Sequence, residues 1–100
     1  MTSELRVDKI HNEGGDNDSG LDMSTNDVVA VKIAGSEKAR IHSDGNIGIG
    51  EVTPTSALHV KGGAGANIAI QSTAGSHWRI GDAVGTSNGN LAIYDYTNSA

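Results

Sequence analysis

Beyond about residue 27 the apolar residues occupy every second position in short bursts. Val29, Val31 and Ile33 alternate with Ala30 and Lys32, and Ile47 and Ile49 alternate with Gly48 and Gly50. Leu58 and Val60 flank His59, Ile68 and Ile70 flank Ala69, and Trp78 and Ile80 flank Arg79. Near the end Leu91, Ile93 and Asp95 share one parity, with Ala92, Tyr94 and Tyr96 on the other. Successive side chains of an extended strand point to opposite faces, so this alternation predicts short, half-buried strands. Turn-forming segments separate the bursts: Ser43-Asp-Gly-Asn46, Gly62-Gly-Ala-Gly65, Ser72-Thr-Ala-Gly75 and Gly85-Thr-Ser-Asn-Gly-Asn90. Asp-Gly and Gly-Asn tolerate positive φ, which tight hairpins require. No helical stripe of useful length appears, and Ser36–Ile41 reads as a hairpin connection.

Gly48 and Gly50 call for a physical reason, because glycine weakens a strand interior. Either they form a bulged turn, or alternating Ile and Gly leaves one face bare for a neighbouring backbone. The first twenty-seven residues differ in character. Leu5, Val7 and Ile10 form a short, strand-like apolar anchor over Ser3–Ile10, and Asn12–Asn26 is nearly all small and polar. Such a composition buries too little surface to order alone. Residues 1–27 therefore read as an arm and linker, and 28–100 as a Gly-rich β-repeat region continuing beyond residue 100. Spacing suggests a weak internal repeat, with Ile93 following Ile33 by 60 positions and Ala100 following Ala39 by 61. Repeated β units that cannot bury their faces singly are how shafts and solenoids are built.

Composition sharpens this. The chain of 100 residues holds 14 Gly, no Phe, one Trp and two Tyr. Aromatics normally contribute the largest buried areas, so the available core is small aliphatics. Burial at roughly 25 cal/mol per Å2 must offset about 1–2 kcal/mol of ordering per residue. A lone chain of this make-up is marginal, which points to identical chains or a docking partner. The net charge of −5 excludes a nucleic-acid partner of the usual basic kind. Without Cys there is no disulfide and no thiolate metal site. Neither a signal peptide nor an apolar run long enough to cross a membrane is visible, and synthesis in a cytoplasm without membrane insertion is expected.

Candidate chemistry is sparse. Asp16-Asn-Asp-Ser-Gly20 has the flavour of a calcium loop, but the positions needing Gly and Glu hold Leu21 and Asp27, so the pattern fails. His11, His42, His59 and His77 form no pair at metal-ligand spacing. No nucleophile elbow exists, and Asp44, Asp82 and Asp95, the conceivable carboxylate pairs, sit in or beside turns. Gly48-Ile-Gly50 and Gly62-Gly-Ala-Gly65 lack the Lys and helix of a phosphate loop. Trp78, Tyr94 and Tyr96 suggest either a sugar-stacking platform or the largest contacts of a thin core. No catalytic residue, cofactor or metal is expected, and the chain reads as a non-enzyme.

Arg40-Ile-His-Ser-Asp-Gly-Asn-Ile-Gly-Ile-Gly50, with Thr53-Pro-Thr-Ser-Ala-Leu-His-Val60 and Trp78-Arg-Ile-Gly-Asp82, resembles repeated segments of bacteriophage tail-fibre and tailspike proteins. The opening Ser3-Glu-Leu-Arg-Val-Asp-Lys-Ile-His-Asn-Glu-Gly-Gly15 is similar to the start of structural proteins from marine and cyanobacterial phages. Glu51 departs from the more familiar Thr or Ser. The resemblance implies an all-β protein, with short strands in an elongated homotrimeric shaft or β-prism and an extended N-terminal arm. It implies a virion structural protein, the proximal part of a tail fibre, docked on tail or baseplate proteins, with host-receptor contact only through regions beyond this chain. Leu5, Val7 and Ile10 are the expected virion-docking residues. Ile41, Ile47, Ile49, Leu58, Val60, Trp78 and Ile80 are the expected shaft-packing residues. Two alternatives stand beside this: a receptor- or carbohydrate-binding module, and a capsid or collar decoration protein.

Overall fold

The computed structural model describes residues 2–63, 67–82 and 91–97. The described residues are all-β, with nine short strands, no helix and no cis peptide bond. The chain divides into two compact units, Met1–His59 and Val60–Ala100. The change in composition near residue 27 falls inside the first of these.

A six-stranded sheet runs in chain order, β1 (Lys9–His11), β2 (Gly20–Asp22), β3 (Val29–Ile33), β4 (Ser36–Ile41), β5 (Ile47–Ile49) and β6 (Leu58–Val60). The pairs from β1 to β5 are antiparallel. A second meander contains β7 (Asn67–Gln71), β8 (His77–Gly81) and β9 (Ala92–Asp95), also antiparallel.

Three elements depart from the sequence reading. Residues 2–7 form no strand, and β1 begins only at Lys9. The polar segment Asn12–Asn26 contains β2, which lies between β1 and β3. Ser36–Ile41 is a full strand rather than a connection, and a bulge explains why it escapes notice. Val31 pairs with Ala39 but Lys32 pairs with Glu37, so Lys38 is the extra residue. The extra residue breaks the period-two pattern and puts Glu37 and Arg40 on one face, which three-residue spacing on a regular strand forbids.

Short-range forces set the turns. β3 and β4 are joined by Ala34-Gly35, both at positive φ (53° and 79°) between the paired Ile33 and Ser36. That is the mirror-image two-residue turn whose twist matches a right-handed hairpin. The β4–β5 reversal closes with His42 N–H donating to Asn46 O (2.8 Å) and Gly45 N–H to His42 O (2.8 Å). The β7–β8 reversal repeats this pair, Ser72 to Ser76 (2.9 Å) and Gly75 to Ser72 (3.2 Å), thirty residues later. The sequence repeat expected at about sixty residues ends at Asn98–Ala100, outside the described residues.

Gly48 receives an explanation within the chain. A Cβ there would overlap the carbonyl of Glu51 and stand 3.5 Å from Pro54 Cβ. Both Gly48 and Pro54 are buried. The bare face of the Ile-Gly-Ile strand is thus covered by the chain's own 51–54 segment, not by a neighbouring backbone.

Candidate assembly surface

Register sorts the side chains of the first sheet into two faces. One row crosses five strands as Ile10, Leu21, Val31, Ala39 and Ile49. A second row, Val29, Ile41 and Ile47, lies beside it on the same face. The opposite face carries Lys9, Asp22, Ala30, Arg40 and Gly48 in one row and His11, Gly20, Lys32 and Glu37 in the other.

Burial is inverted relative to the usual rule that aliphatics go inside and charges outside. The seven large aliphatics of the first face are 37–50% exposed, whereas the buried hydrophobics among the described residues are Val28 and Ala30. Ala30 belongs to the charged face. There Arg40 and Glu37 form a two-pronged ion pair, Nε to Oε2 at 2.8 Å and Nη2 to Oε1 at 2.6 Å. Their side chains are only 16% and 14% exposed, and such fork geometry is the strong form of a carboxylate contact. The hydrogen bonds from Arg40 hold the Glu37 carboxyl below its ordinary range and raise the guanidinium correspondingly.

Asp22 is the second organising group. The hydroxyl and backbone N–H of Ser24 donate to it and hold its carboxyl low, with smaller contributions from Lys9 and Lys32. The two ammonium groups stand 3.9 and 3.8 Å from it. At the rim of this face Asp18 is shifted upward, chiefly by its hydrogen bond with Asp16. These charges line a hollow with His11, whose Nδ1 lies 2.9 Å from the Asn17 carbonyl. Gly20 pairs with His11, and a Cβ there would overlap the Ile10 carbonyl.

The second sheet has the same two-sided character. Ile68, Ile80 and Ile93 form one apolar row, beside Ile70 and Trp78. Ile68, Ile70, Trp78 and Ile93 are 44–67% exposed. The other face carries Ala69, Arg79 and Tyr94 in register, with Gln71 opposite His77. There the Arg79 guanidinium lies 4.7 Å from the Tyr96 ring centroid, a cation–π distance. Tyr94 meets Tyr96 edge-on at 4.8 Å. Arg79 Nε is buried without a hydrogen-bond partner among the described residues. The hydroxyl and N–H of Thr97 hold Asp95 low.

These faces redistribute the expected residues. Ile41, Ile47 and Ile49 come together on the first apolar face, joined by Ile10, which sequence reasoning placed with the docking arm. Trp78 and Ile80 lie in the other sheet. Leu58 is exposed and Val60 half-buried in β6. Leu5 is 81% exposed and Val7 41%, both ahead of the first strand. Sequence reasoning missed Leu21, Val29, Val31 and Ala39. The strict alternation of β3 was the available signal for Val29 and Val31, whereas Leu21 stands alone among polar residues and only pairing reveals it. The suggested three-ring platform is not assembled, because Trp78 pairs with Asp95 on the face opposite Tyr94. Among the described residues no group of three His, Asp or Glu is placed to hold a metal, and no helix is long and apolar enough to cross a membrane.

Comparison with known proteins finds no family, no curated relative and no solved structure that matches the chain.

Proposed function

We propose that this chain is a virion structural protein, the proximal part of a homotrimeric phage tail fibre, anchored through its N-terminal segment to the tail or baseplate. The observation that carries the reading is the Arg40–Gly50 cassette, whose resemblance to fibre repeats coincides with hairpin β4–β5. Support comes from the two-sided sheets: nearly every large aliphatic among the described residues is exposed or half-exposed, as expected of a part completed by other chains. Distal regions of the same protein would carry the receptor contact.

Attachment is assigned to residues 2–7, which carry Leu5 and Val7 and lie outside every strand. Removing all twenty-seven leading residues would also remove β1 and β2, so a smaller deletion is the cleaner test. Deleting residues 2–7 is expected to abolish incorporation into virions, read by immunogold labelling of purified particles, while the size of the isolated chain stays constant. Incorporation at the normal level would defeat the docking assignment. Labelling confined to the capsid or collar would establish the decoration reading in its place.

The receptor- or carbohydrate-binding reading has one observation in its favour, the Tyr94–Tyr96–Arg79 cluster on the polar face of the second sheet. Under the fibre reading, Tyr94→Ala leaves adsorption to host cells unchanged. Loss of adsorption with normal virion assembly would move the function to that cluster.

A further inference from the structure

The apolar face of β1–β5 has properties that narrow what covers it. Its two rows contain no charged and no hydrogen-bonding side chain; Ser36, opposite Ile33 at the hairpin end of the same face, and Lys38 at the bulge lie outside them, and every other charged residue of these strands belongs to the other face. Recognition of a dissimilar protein ordinarily uses polar and charged complementarity to fix register and exclude wrong partners. The two rows have none to offer. Laid against identical rows, they meet no like charge and leave no side-chain donor or acceptor unpaired.

Size points the same way. One row across five strands and a second across three, at about 4.8 Å between strands and about 6.8 Å along them, cover on the order of 250 Å2 in projection. Accessible area exceeds projection, because the side chains stand off the sheet. A contiguous apolar patch of a few hundred Å2 is about the largest that a monomeric soluble protein ordinarily leaves exposed, and such a patch is often functional. It is a substantial share of the roughly 800 Å2 per partner that a standard interface buries. Sheets that meet through such faces interdigitate about 10 Å apart and form a core between them.

We infer that this face is the contact between identical copies of the chain, with Ile10, Leu21, Val31 and Ile49 along its centre. The number of copies, three, rests on the reading proposed above, whereas the choice of face rests on register, charge and area. The inference takes Ile10 out of the virion-docking set and makes it part of the shared core, leaving Leu5 and Val7 for attachment.

The full chain contains no cysteine, so single cysteines report each surface without background. Val31→Cys reports the face and Ser43→Cys, in the exposed β4–β5 turn, is the reference. Molecular mass by light scattering and maleimide labelling rate are measured over a dilution series. The expected result is a homomer in which Val31→Cys reacts at least about 10-fold more slowly than Ser43→Cys, the difference vanishing as the complex dissociates. Leu21→Lys is expected to weaken association by roughly 100-fold, because it buries an unpaired charge in the contact; Ser43→Lys leaves it unchanged. A homomer in which Val31→Cys labels as fast as Ser43→Cys overturns the face while leaving the homotrimer standing. A chain that stays monomeric at every concentration with Val31→Cys reactive overturns both. Should Leu21→Lys lose its β-sheet circular dichroism, the labelling comparison, which needs only the conservative Val31→Cys, still decides.

Discussion

Between β4 and β5 the chain reverses through His42–Asn46, and between β7 and β8 through Ser72–Ser76, with the same two backbone hydrogen bonds. Position for position the two hairpins lie thirty residues apart, yet their apolar parity is reversed. In the first, Ile41 and Ile47 are the pair next to the turn and Arg40 and Gly48 the pair behind it. In the second, Gln71 and His77 are next to the turn and Ile70 and Trp78 behind it. Gly48 and Trp78, the smallest and the largest side chains available, thus occupy the same place. One faces a backbone segment folded over it; the other stands 44% exposed on an apolar surface. Turn geometry and face assignment are therefore independent in this molecule. Backbone preferences at the loop set the first, and the side-chain pattern along the strands sets the second.

The largest test of that contrast is at the equivalent positions. Gly48→Ala is expected to destabilise the chain by about 2–3 kcal/mol, since the new Cβ must displace the Glu51 carbonyl. Trp78→Ala is expected to cost under about 1 kcal/mol in the dissociated chain. Urea unfolding monitored by circular dichroism compares them, and equal losses would mean that the two positions are not environments of opposite kind.

Next in size is Arg40→Lys, which keeps the charge but loses the two-pronged contact with Glu37. A loss of about 1 kcal/mol is expected. A double-mutant cycle with Glu37→Gln should show the two changes to be non-additive.

Acid should separate the sheets further. Asp22 and Glu37 in the first sheet, and Asp95 in the second, all have folded-state values below their ordinary ones. A depressed carboxyl stabilises the fold above its unfolded value, and that contribution is lost as pH falls through the folded value. Asp18 is shifted upward, so it opposes folding above its unfolded value and partly offsets the others. Stability should therefore decline below about pH 4.5, where Glu37 begins to titrate in the unfolded chain. Amide exchange compared at pH 6 and pH 3, corrected for intrinsic rates, is expected to show the greater loss of protection in β2–β4. Equal loss in β7–β9 would remove the electrostatic distinction.

The smallest expected effect lies in the turns themselves. The Asp44 carboxylate accepts from the Asn46 N–H at 2.9 Å, and the equivalent position in the second turn is Ala74. Asp44→Ala should cost about 0.5–1 kcal/mol, and Ala74→Asp should return a few tenths. Thermal unfolding midpoints of the pair would register the opposite signs.

The sequence showed the β character and most of the strands plainly, because period-two alternation is a local property. It concealed what depends on pairing. Strand β2 has a single apolar residue between Gly20 and Asp22, and only its neighbours make it a strand. Strand β4 was hidden by its own bulge. The thirty-residue recurrence of the turn was invisible because Asp-Gly and Ala-Gly spell the same loop differently. For the surface, Ile41, Ile47 and Ile49 were legible from alternation. That Ile10 shares their face required the registers of four successive strand pairs, which nothing local encodes.

The bulge at Lys38 also bears on how such a chain tolerates change in length. It acts as a parity correction: the two ends of β4 count even and odd positions differently, and the single unpaired residue reconciles them. Loss of that one codon would remove the offset itself: Ser36, Glu37, Ala39, Arg40 and Ile41 would then oppose Ile33, Lys32, Val31, Ala30 and Val29 one to one, with each side chain kept on its present face. A deletion there consequently removes no cross-strand pair and turns no side chain over, and what the strand loses is the local bend and added twist that the bulge supplies.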